Sequence, residues 1–459
     1  MEHVDVLVMG GGTAGSSTAR TAVKEGAKKV VMVHPEALVN TCVEEGCMPS
    51  KSILAGAHQH ESLGVVEETR NAHITRLLKA LVGSFEHAGF EEVYGKAAFT
   101  GSGTILVTHT DGATTEYQAE KIVIASGSEP FIPPIKGLDT IGERMLTSYN
   151  VVSKAAHFNT LPKRLLTVGG GPIGLELSTF FHDMGVEVVA IERGPLLRLY
   201  DPEFGEERVR ASKDKTSFPI HTNTNLLETS LEGESVKCVI EEDGETREEQ
   251  FDMILIATGR KPQLEGLGLE HTDIQRDERG GIIHDEYMET THKGIFIAGD
   301  VTGHHQILHF ATHMGKTAGY NTQHPEEMHT MDYDKHMLAV SFDQFPSAII
   351  GLTQTEAEKR GMEVISATRH FNSIGLGILK RQEYGMWKVV AEKGSGKIIG
   401  SQILGPDSAG ELIQLLVPVI AKGITYGELL EMTWYHPTYA EIIQSLSRDL
   451  CKLDNTSCS

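Results

Sequence analysis

The feature that most restricts this chain is a glycine cluster set between a strand pattern and a helix pattern, and it occurs twice. Residues 4–9 form an apolar run, Gly10-Gly11-Gly12-Thr13-Ala14-Gly15 follows, helix-compatible sequence continues to about Glu25, and residues 29–33 read as a second strand. The unit returns as a strand over 164–168, then Gly169-Gly170-Gly171-Pro172-Ile173-Gly174, a helix to about Met184 and a strand over 187–191. Gly10 allows a tight turn, Gly12 lets the backbone approach a pyrophosphate, and Gly15 lets helix and strand pack closely; Gly169, Gly171 and Gly174 repeat the pattern. The phosphates then face free N–H groups at a helix N-terminus. A lone fingerprint is weak; two in strand–turn–helix context imply two dinucleotide sites.

An acidic residue closing the second strand normally holds the adenosine ribose. Glu192 fills that place in the second unit. In the first unit the place falls to His34, with Glu36 two residues on. A neutral imidazole offers one acceptor nitrogen, so either His34 makes a single hydrogen bond or Glu36 substitutes.

Three further apolar runs end in small or acidic residues: 122–124 before Ala125-Ser126-Gly127-Ser128, 253–257 before Thr258-Gly259-Arg260, and 294–298 before Gly299-Asp300. Ile74, Leu77, Leu78, Leu81, Val82 and Phe85 follow helical spacing and predict a packed face. From Met337 the pattern changes to alternating strands, a helix over 411–422 and a tail. The expectation is an α/β chain with two Rossmann-like domains and a C-terminal α+β domain. The boundaries are 1–145 and 265–335 for the first dinucleotide domain, 146–264 for the second, and 336–459 for the third.

The formal charge of −22 disfavours nucleic acid and anionic membrane as partners. No run of 18 apolar residues occurs, so no membrane span is expected. The N-terminus runs straight into a strand without a signal pattern, which predicts a cytoplasmic protein. In a reducing compartment, neighbouring cysteines read as catalytic or metal-binding.

Cys42-Val43-Glu44-Glu45-Gly46-Cys47-Met48-Pro49-Ser50-Lys51 carries such a pair. Five residues of regular helix separate Cα atoms by about 8–9 Å, and a disulfide needs less than about 7 Å. A bond between them therefore requires a distorted segment, for which Gly46 supplies the freedom. A metal site, with His58 and His60 the nearest further ligands, and two inert thiols are the other readings.

This Cys-x-x-x-x-Gly-Cys-x-Pro-Ser-Lys run after a first dinucleotide fold resembles the flavin-dependent pyridine nucleotide–disulfide oxidoreductases. That group includes dihydrolipoamide dehydrogenase, glutathione reductase and mercuric reductase. Gly169 to Glu176, Ala257-Thr258-Gly259-Arg260-Lys261-Pro262, Ala298-Gly299-Asp300 and His436-Pro437-Thr438-Tyr439-Ala440-Glu441 match it in order. The resemblance implies FAD held by the first domain, through Gly10, Gly12, Gly15, His34, Ser126, Gly127 and Asp300, the last on the ribityl chain. It implies NAD held by the second, through Gly169, Gly171, Gly174, Glu192 and Gly259. Cys42 and Cys47 would form the redox disulfide, Cys47 nearest the flavin and Cys42 meeting the substrate. Lys51 and Glu176 would pair beside the flavin. His436, oriented by Glu441, would be the acid–base for Cys42, reaching in from the other subunit of a homodimer. No metal is implied.

Leu308-His309 and the segment from Gly405 to Ile413 look most like dihydrolipoamide dehydrogenase, which implies a dihydrolipoyl dithiol as substrate, free or on a carrier protein. His436 argues against a mercuric reductase. Cys451 and Cys458 resemble that enzyme's tail thiols but are not adjacent, and read as a mobile tail. Glu192 favours NAD over NADP by repelling a 2′-phosphate, while Arg193 and Arg198 would attract one. Val39-Asn40, Trp434-Tyr435 and Gln263 depart from the family pattern and point to a specialised member. The alternatives are an NADPH-dependent reductase of another disulfide or of a metal ion, and a non-enzymatic FAD-binding redox sensor or scaffold.

Overall fold

The computed structural model describes residues 1–35, 40–214, 217–334 and 337–455. The readings on Glu36, Val39 and Cys458 therefore lie outside the described residues. The chain opens with β1 (Glu2–Met9), α1 (Thr13–Lys24) and β2 (Val30–His34), then α2 (Cys47–His58) and α3 (Leu63–Gly83). β3 (Glu91–Gly101), β4 (Thr104–His109), β5 (Thr114–Ile124) and β6 (Ser128–Pro130) follow.

The second unit comprises β7 (Met145–Leu146), α4 (Ser148–Val152), β8 (Arg164–Val168), α5 (Pro172–Asp183), β9 (Glu187–Ile191), α6 (Pro202–Ala211) and β10 (Ile220–His221). It continues through β11 (Thr224–Glu232), β12 (Ser235–Glu242), β13 (Glu245–Phe251), β14 (Met253–Ile256) and β15 (Arg260–Pro262). The chain then returns to the first unit with β16 (Ile295–Ile297) and α7 (Leu308–Asn321). The last part holds β17 (Leu338–Ser341), β18 (Ser347–Gly351), α8 (Gln354–Lys359), β19 (Val364–His370), α9 (Gly375–Leu379), β20 (Met386–Glu392) and β21 (Ile398–Leu404). It closes with α10 (Ala409–Gln414), α11 (Leu416–Lys422), α12 (Tyr426–Glu431) and α13 (Ile442–Leu453).

In the first sheet β3, β2, β1, β5 and β16 run parallel in that order, and β4 hairpins between the far ends of β3 and β5. Val6, Leu7 and Val8 are consecutive and fully buried. Helices cover both faces of such a sheet, so its central strands carry no polar alternation. The second sheet is wholly parallel, in the order β10-β9-β8-β14-β7, with the antiparallel β11–β13 meander packed beside it. β15 pairs antiparallel with β6 and ties the two units together. The third sheet is antiparallel, β17-β18-β21-β20-β19. α13 lays Ile442, Ile443, Leu446 and Leu450 into its core, all fully buried.

Two local expectations change, and a third holds. The helix expected over 411–422 is two helices that meet at Leu415. Pro418 has no N–H for a carbonyl one turn back, so the chain restarts and places the proline in a first turn, where none is needed. The face expected over 74–85 is packed: Ile74 and Phe85 are buried, and Leu78, Leu81 and Val82 lie partly buried against the first core. Cys451 is a buried, disulfide-bonded residue of α13, not part of a mobile tail. No helix among the described residues is long and apolar enough to cross a membrane.

Candidate active site

Both glycine turns are built by contact geometry. Gly10 has φ +128°, and a Cβ there would lie 2.1 Å from the Ala125 carbonyl oxygen. A Cβ on Gly15 would lie 1.9 Å from the carbonyl oxygen of Gly10, so α1 seats against β1 only without it. At Gly12 no atom comes within 4 Å. The second unit repeats this at Gly169 (2.3 Å, Ala257), Gly174 (2.0 Å, Gly169) and the open Gly171. Each turn thus presents an open helix N-terminus to a cleft, the arrangement a pyrophosphate requires.

The first cleft is lined by Gly12, Thr13, Ala14, Cys42, Cys47, Lys51, Gly127, Glu176 and Asp300, among others. The segment carrying the two cysteines is distorted, as a bond between them would require. Thr41–Glu45 is a π-helical turn, Gly46 breaks it with φ −144° and ψ −107°, and α2 starts at Cys47. A Cβ on Gly46 would stand 2.7 Å from the Thr41 carbonyl oxygen. Asn40 fixes the entry: its Oδ1 accepts from Val43 N at 3.2 Å, and its own N–H donates to Glu44 at 3.0 Å.

Cys42 and Cys47 both carry free, half-buried thiols. Cys47 is lowered to about 7, first because Cys42 hydrogen-bonds it, with burial opposing and Lys51 assisting. The same bond, with burial, pushes Cys42 far up. The two thiols titrate as a pair, with Cys47 on the low side and Cys42 on the high side. Lys51 Nζ donates to Glu176 Oε2 at 2.6 Å. Glu176 Oε1 accepts from the backbone N–H of Phe342 at 3.0 Å, and Lys51 stands 4.9 Å from the centre of the Phe342 ring. Phe342 was not among the sequence candidates, because no local pattern marks a loop of the third domain as a wall of the first.

Asp300 accepts from Ser128 Oγ at 2.7 Å, and Ser128 in turn takes two bonds from Arg260 at 2.7 Å. Gly127 lines the cleft; the Ser126 hydroxyl instead donates to the Gln263 carbonyl at 2.7 Å. His34 is buried against Gly11, with Nδ1 on the Pro35 carbonyl (2.9 Å) and Nε2 on Glu92 (3.2 Å). A bond from His34 to a ribose would have to replace one of these.

The second cleft is lined by Gly169, Gly170, Gly171, Glu192, Arg193, Arg198 and Gly259, among others. Glu192 accepts from Gly170 N at 2.8 Å, from Gly194 N at 3.2 Å and from Arg198. The two clefts share Pro172, Ile173 and Val340, so they meet at the start of α5. His436 and Glu441 are joined at 2.6 Å, but His436 is 74% exposed on the third domain and takes no part in the wall around Cys42. Within one chain the structure therefore brings together Cys42, Cys47, Lys51 and Glu176, and leaves the His436–Glu441 pair apart from them.

Residues 4–318 match the family described as pyridine nucleotide-disulphide oxidoreductase, and residues 337–447 match its dimerisation domain. The chain belongs to the pyridine nucleotide-disulphide oxidoreductases. It is 30% identical to a mercuric reductase of Streptomyces lividans, over 98% of this chain and 97% of that protein. It is 29% identical to the dihydrolipoyl dehydrogenase of Bacillus subtilis, over 96% and 95%. A solved structure titled as the Cu(II) complex of the HOCl-induced flavoprotein disulfide reductase RclA from Escherichia coli superposes with a TM-score of 0.86. It covers 98% of this chain and 100% of that one, and its 24% identity bears on fold alone. The family is FAD-dependent and uses a pyridine nucleotide. The first cleft fits FAD: open space at Gly12, a carboxylate at Asp300 and the Lys51–Glu176 pair all line it together with Cys47.

Proposed function

We propose that the protein is a homodimeric dithiol–disulfide oxidoreductase passing two electrons from a dihydrolipoyl dithiol to NAD through Cys42 and Cys47. The observation that carries this is a single cleft lined by Cys42, Cys47, Lys51 and Glu176, with Lys51 bonded to Glu176 at 2.6 Å. Gly12, Gly127 and Asp300 would hold FAD. The bound flavin would supply the two-electron link between the cysteine pair and nicotinamide.

The chain's own residues would do the thiol chemistry. His436 takes the proton of one substrate thiol, and the resulting thiolate attacks Cys42 Sγ. The Cys42–Cys47 bond breaks, a substrate–Cys42 disulfide forms, and Cys47 leaves as a thiolate facing Lys51. The second substrate thiol loses its proton to solvent and attacks the substrate sulfur of that bond, expelling Cys42 as a thiolate. Oxidised substrate departs, Cys42 takes a proton from His436, and the two electrons remain on the Cys42–Cys47 pair. Glu441 orients the imidazole. His436 lies beside α9, where Leu379 is 73% exposed, and next to Tyr435, 80% exposed. A partner subunit docked there would bring His436 to the other chain's Cys42. A scaffold without turnover would need neither the thiol pair nor the base pair.

One observation favours a second reading. Arg198 bonds the Glu192 carboxylate at the nucleotide cleft. A carboxylate so neutralised repels a 2′-phosphate less, which suits an NADPH-dependent reductase of another disulfide or of a metal ion. The test is holoprotein assayed with dihydrolipoamide plus NAD, then with NADPH plus disulfides and Hg(II) or Cu(II). Turnover with dihydrolipoamide and NAD supports the first reading; turnover only with NADPH replaces it with the second.

A further inference from the structure

Glu176 is held by two parts of the chain that are remote in sequence. Oε2 accepts from Lys51 at 2.6 Å, and Oε1 accepts from the Phe342 N–H at 3.0 Å. Phe342 belongs to the segment joining β17 to β18, which lies across α5. One turn along that helix, Gln344 N donates to Thr179 Oγ1 at 3.0 Å. The third domain thus delivers a backbone donor to a carboxylate in the heart of the site.

Behind this segment lies an unusual cation. Arg208 of α6 is fully buried, and none of its three guanidinium nitrogens has a hydrogen-bond partner among the described residues. Its Nε is 3.7 Å from Asp343 Oδ1, too long for a hydrogen bond. The rings of Phe345 and Phe218 flank it at 4.9 and 5.8 Å. Asp343 is also buried, and its Oδ1 accepts from Phe345 N at 2.7 Å. Burial pushes the Asp343 carboxyl up, Arg208 opposes this, and Glu176 adds to it. Asp343 directly follows Phe342, so this second carboxylate stands in the chain next to the residue that donates to Glu176. The set balances: Glu176 and Asp343 against Lys51 and Arg208.

A buried cation without hydrogen bonds is a poor way to hold a fold together, since the desolvation cost of such a charge commonly exceeds its pairing energy. We propose that Arg208 and Asp343 are positioning residues for the Lys51–Glu176 pair. Arg208 offsets the second carboxylate and holds the β17–β18 segment, so that Phe342 presents its N–H to Glu176 at the electron-transfer end of the cleft. This rests on the reading above that the flavin ring lies beside Lys51 and Glu176.

The consequence has a sign. At a pH that keeps the raised Asp343 carboxyl ionised, removing Arg208 leaves one uncompensated negative charge beside the Phe342–Glu176 contact, which disfavours the arrival of electrons and lowers the flavin's reduction potential. Removing the Asp343 charge does the opposite, and removing both restores the balance. The test uses anaerobic holoprotein: the potential of the bound flavin by dye equilibration, the rate of flavin reduction by NADH or NADPH in stopped flow, and thermal unfolding. Arg208→Met is expected to lower the potential and slow reduction about tenfold. Arg208→Lys keeps the charge and stays near wild type, Asp343→Asn raises the potential, and the double variant returns toward wild type. If Arg208→Met does not fold, Asp343→Asn and the double variant carry the test, since removing a buried pair together is usually tolerated. A purely structural role would lower thermal stability and leave the potential of every folded, FAD-loaded variant unmoved; that result, or Asp343→Asn and Arg208→Met shifting the potential in the same direction, overturns the proposal. A wild-type protein that takes up no FAD, or whose flavin neither nucleotide reduces, overturns the functional reading instead.

Discussion

Replacing Lys51 with Gln isolates the electrostatics of the thiol pair. Cys47 is lowered to about 7 by the Cys42 hydrogen bond first, with burial opposing, Lys51 attracting and Glu176 repelling its charge. In the native site Lys51 neutralises Glu176 across 2.6 Å. The substitution therefore acts twice, by removing an attraction and by exposing Cys47 to an unbalanced carboxylate. Lys51 is 35% exposed, so solvent screens part of its effect. The sum is about 1.4 kcal/mol, or roughly tenfold in proton affinity. The sign is upward: the thiolate fraction at pH 7 falls from about a half to about a tenth. In the two-electron-reduced protein, the Cys47 thiolate against oxidised flavin gives a long-wavelength absorbance band whose pH titration reads this fraction. Wild type should titrate near pH 7, Lys51→Gln should titrate higher, and Glu176→Gln should titrate lower. A midpoint unchanged or lowered in Lys51→Gln would refute the assignment of Lys51 as a partner of Cys47.

Other substitutions probe separate parts of the site. Gly12→Ala meets no protein atom within 4 Å, whereas Gly15→Ala places a methyl 1.9 Å from a carbonyl oxygen. The first should fold as apoprotein and bind FAD poorly, and the second should also lower apoprotein stability in thermal unfolding. His436→Gln should cut disulfide exchange by about 10²–10⁴-fold while leaving nucleotide-to-flavin electron transfer intact in stopped flow. Mixing it with Cys42→Ser under subunit exchange should restore up to a quarter of wild-type activity, since half the dimers are mixed and each mixed dimer holds one complete site. Arg198→Met frees Glu192, so kcat/KM should shift toward NAD(H) over NADP(H) by about tenfold if one such contact is worth ~1.4 kcal/mol. An unchanged ratio would show that Arg198 does not face the adenosine end.

Local pattern carried the parts of the fold that local chemistry determines. The strands at 164–168 and 187–191 fall where apolar runs end in glycine or a carboxylate, because a buried parallel strand has no other way to read. The distortion between Cys42 and Cys47 was legible only on the premise of a bond between them, since cysteines at that spacing cannot meet on a regular helix; the premise itself came from the resemblance to a family. Phe342, Asp343 and Arg208 were not legible. Their roles come from the β17–β18 segment lying across α5, a closure between remote parts of the chain that leaves no periodic trace. His34 was read as a ribose contact from its position at the end of β2, yet its neighbours Pro35 and Glu92 occupy both nitrogens. The helix over 411–422 was read through Pro418, whose missing N–H divides it.

The central claim is that Cys42 and Cys47 cycle between disulfide and dithiol with the flavin. Differential alkylation with mass analysis, on air-oxidised FAD-loaded protein before and after anaerobic NADH or NADPH, tests it most directly. Both cysteines should be protected before reduction and both alkylated after it, while Cys238, buried in β12 with its thiol pushed up to about 12, stays unlabelled throughout. A flavin that is reduced while the labelling of Cys42 and Cys47 does not change would contradict the account.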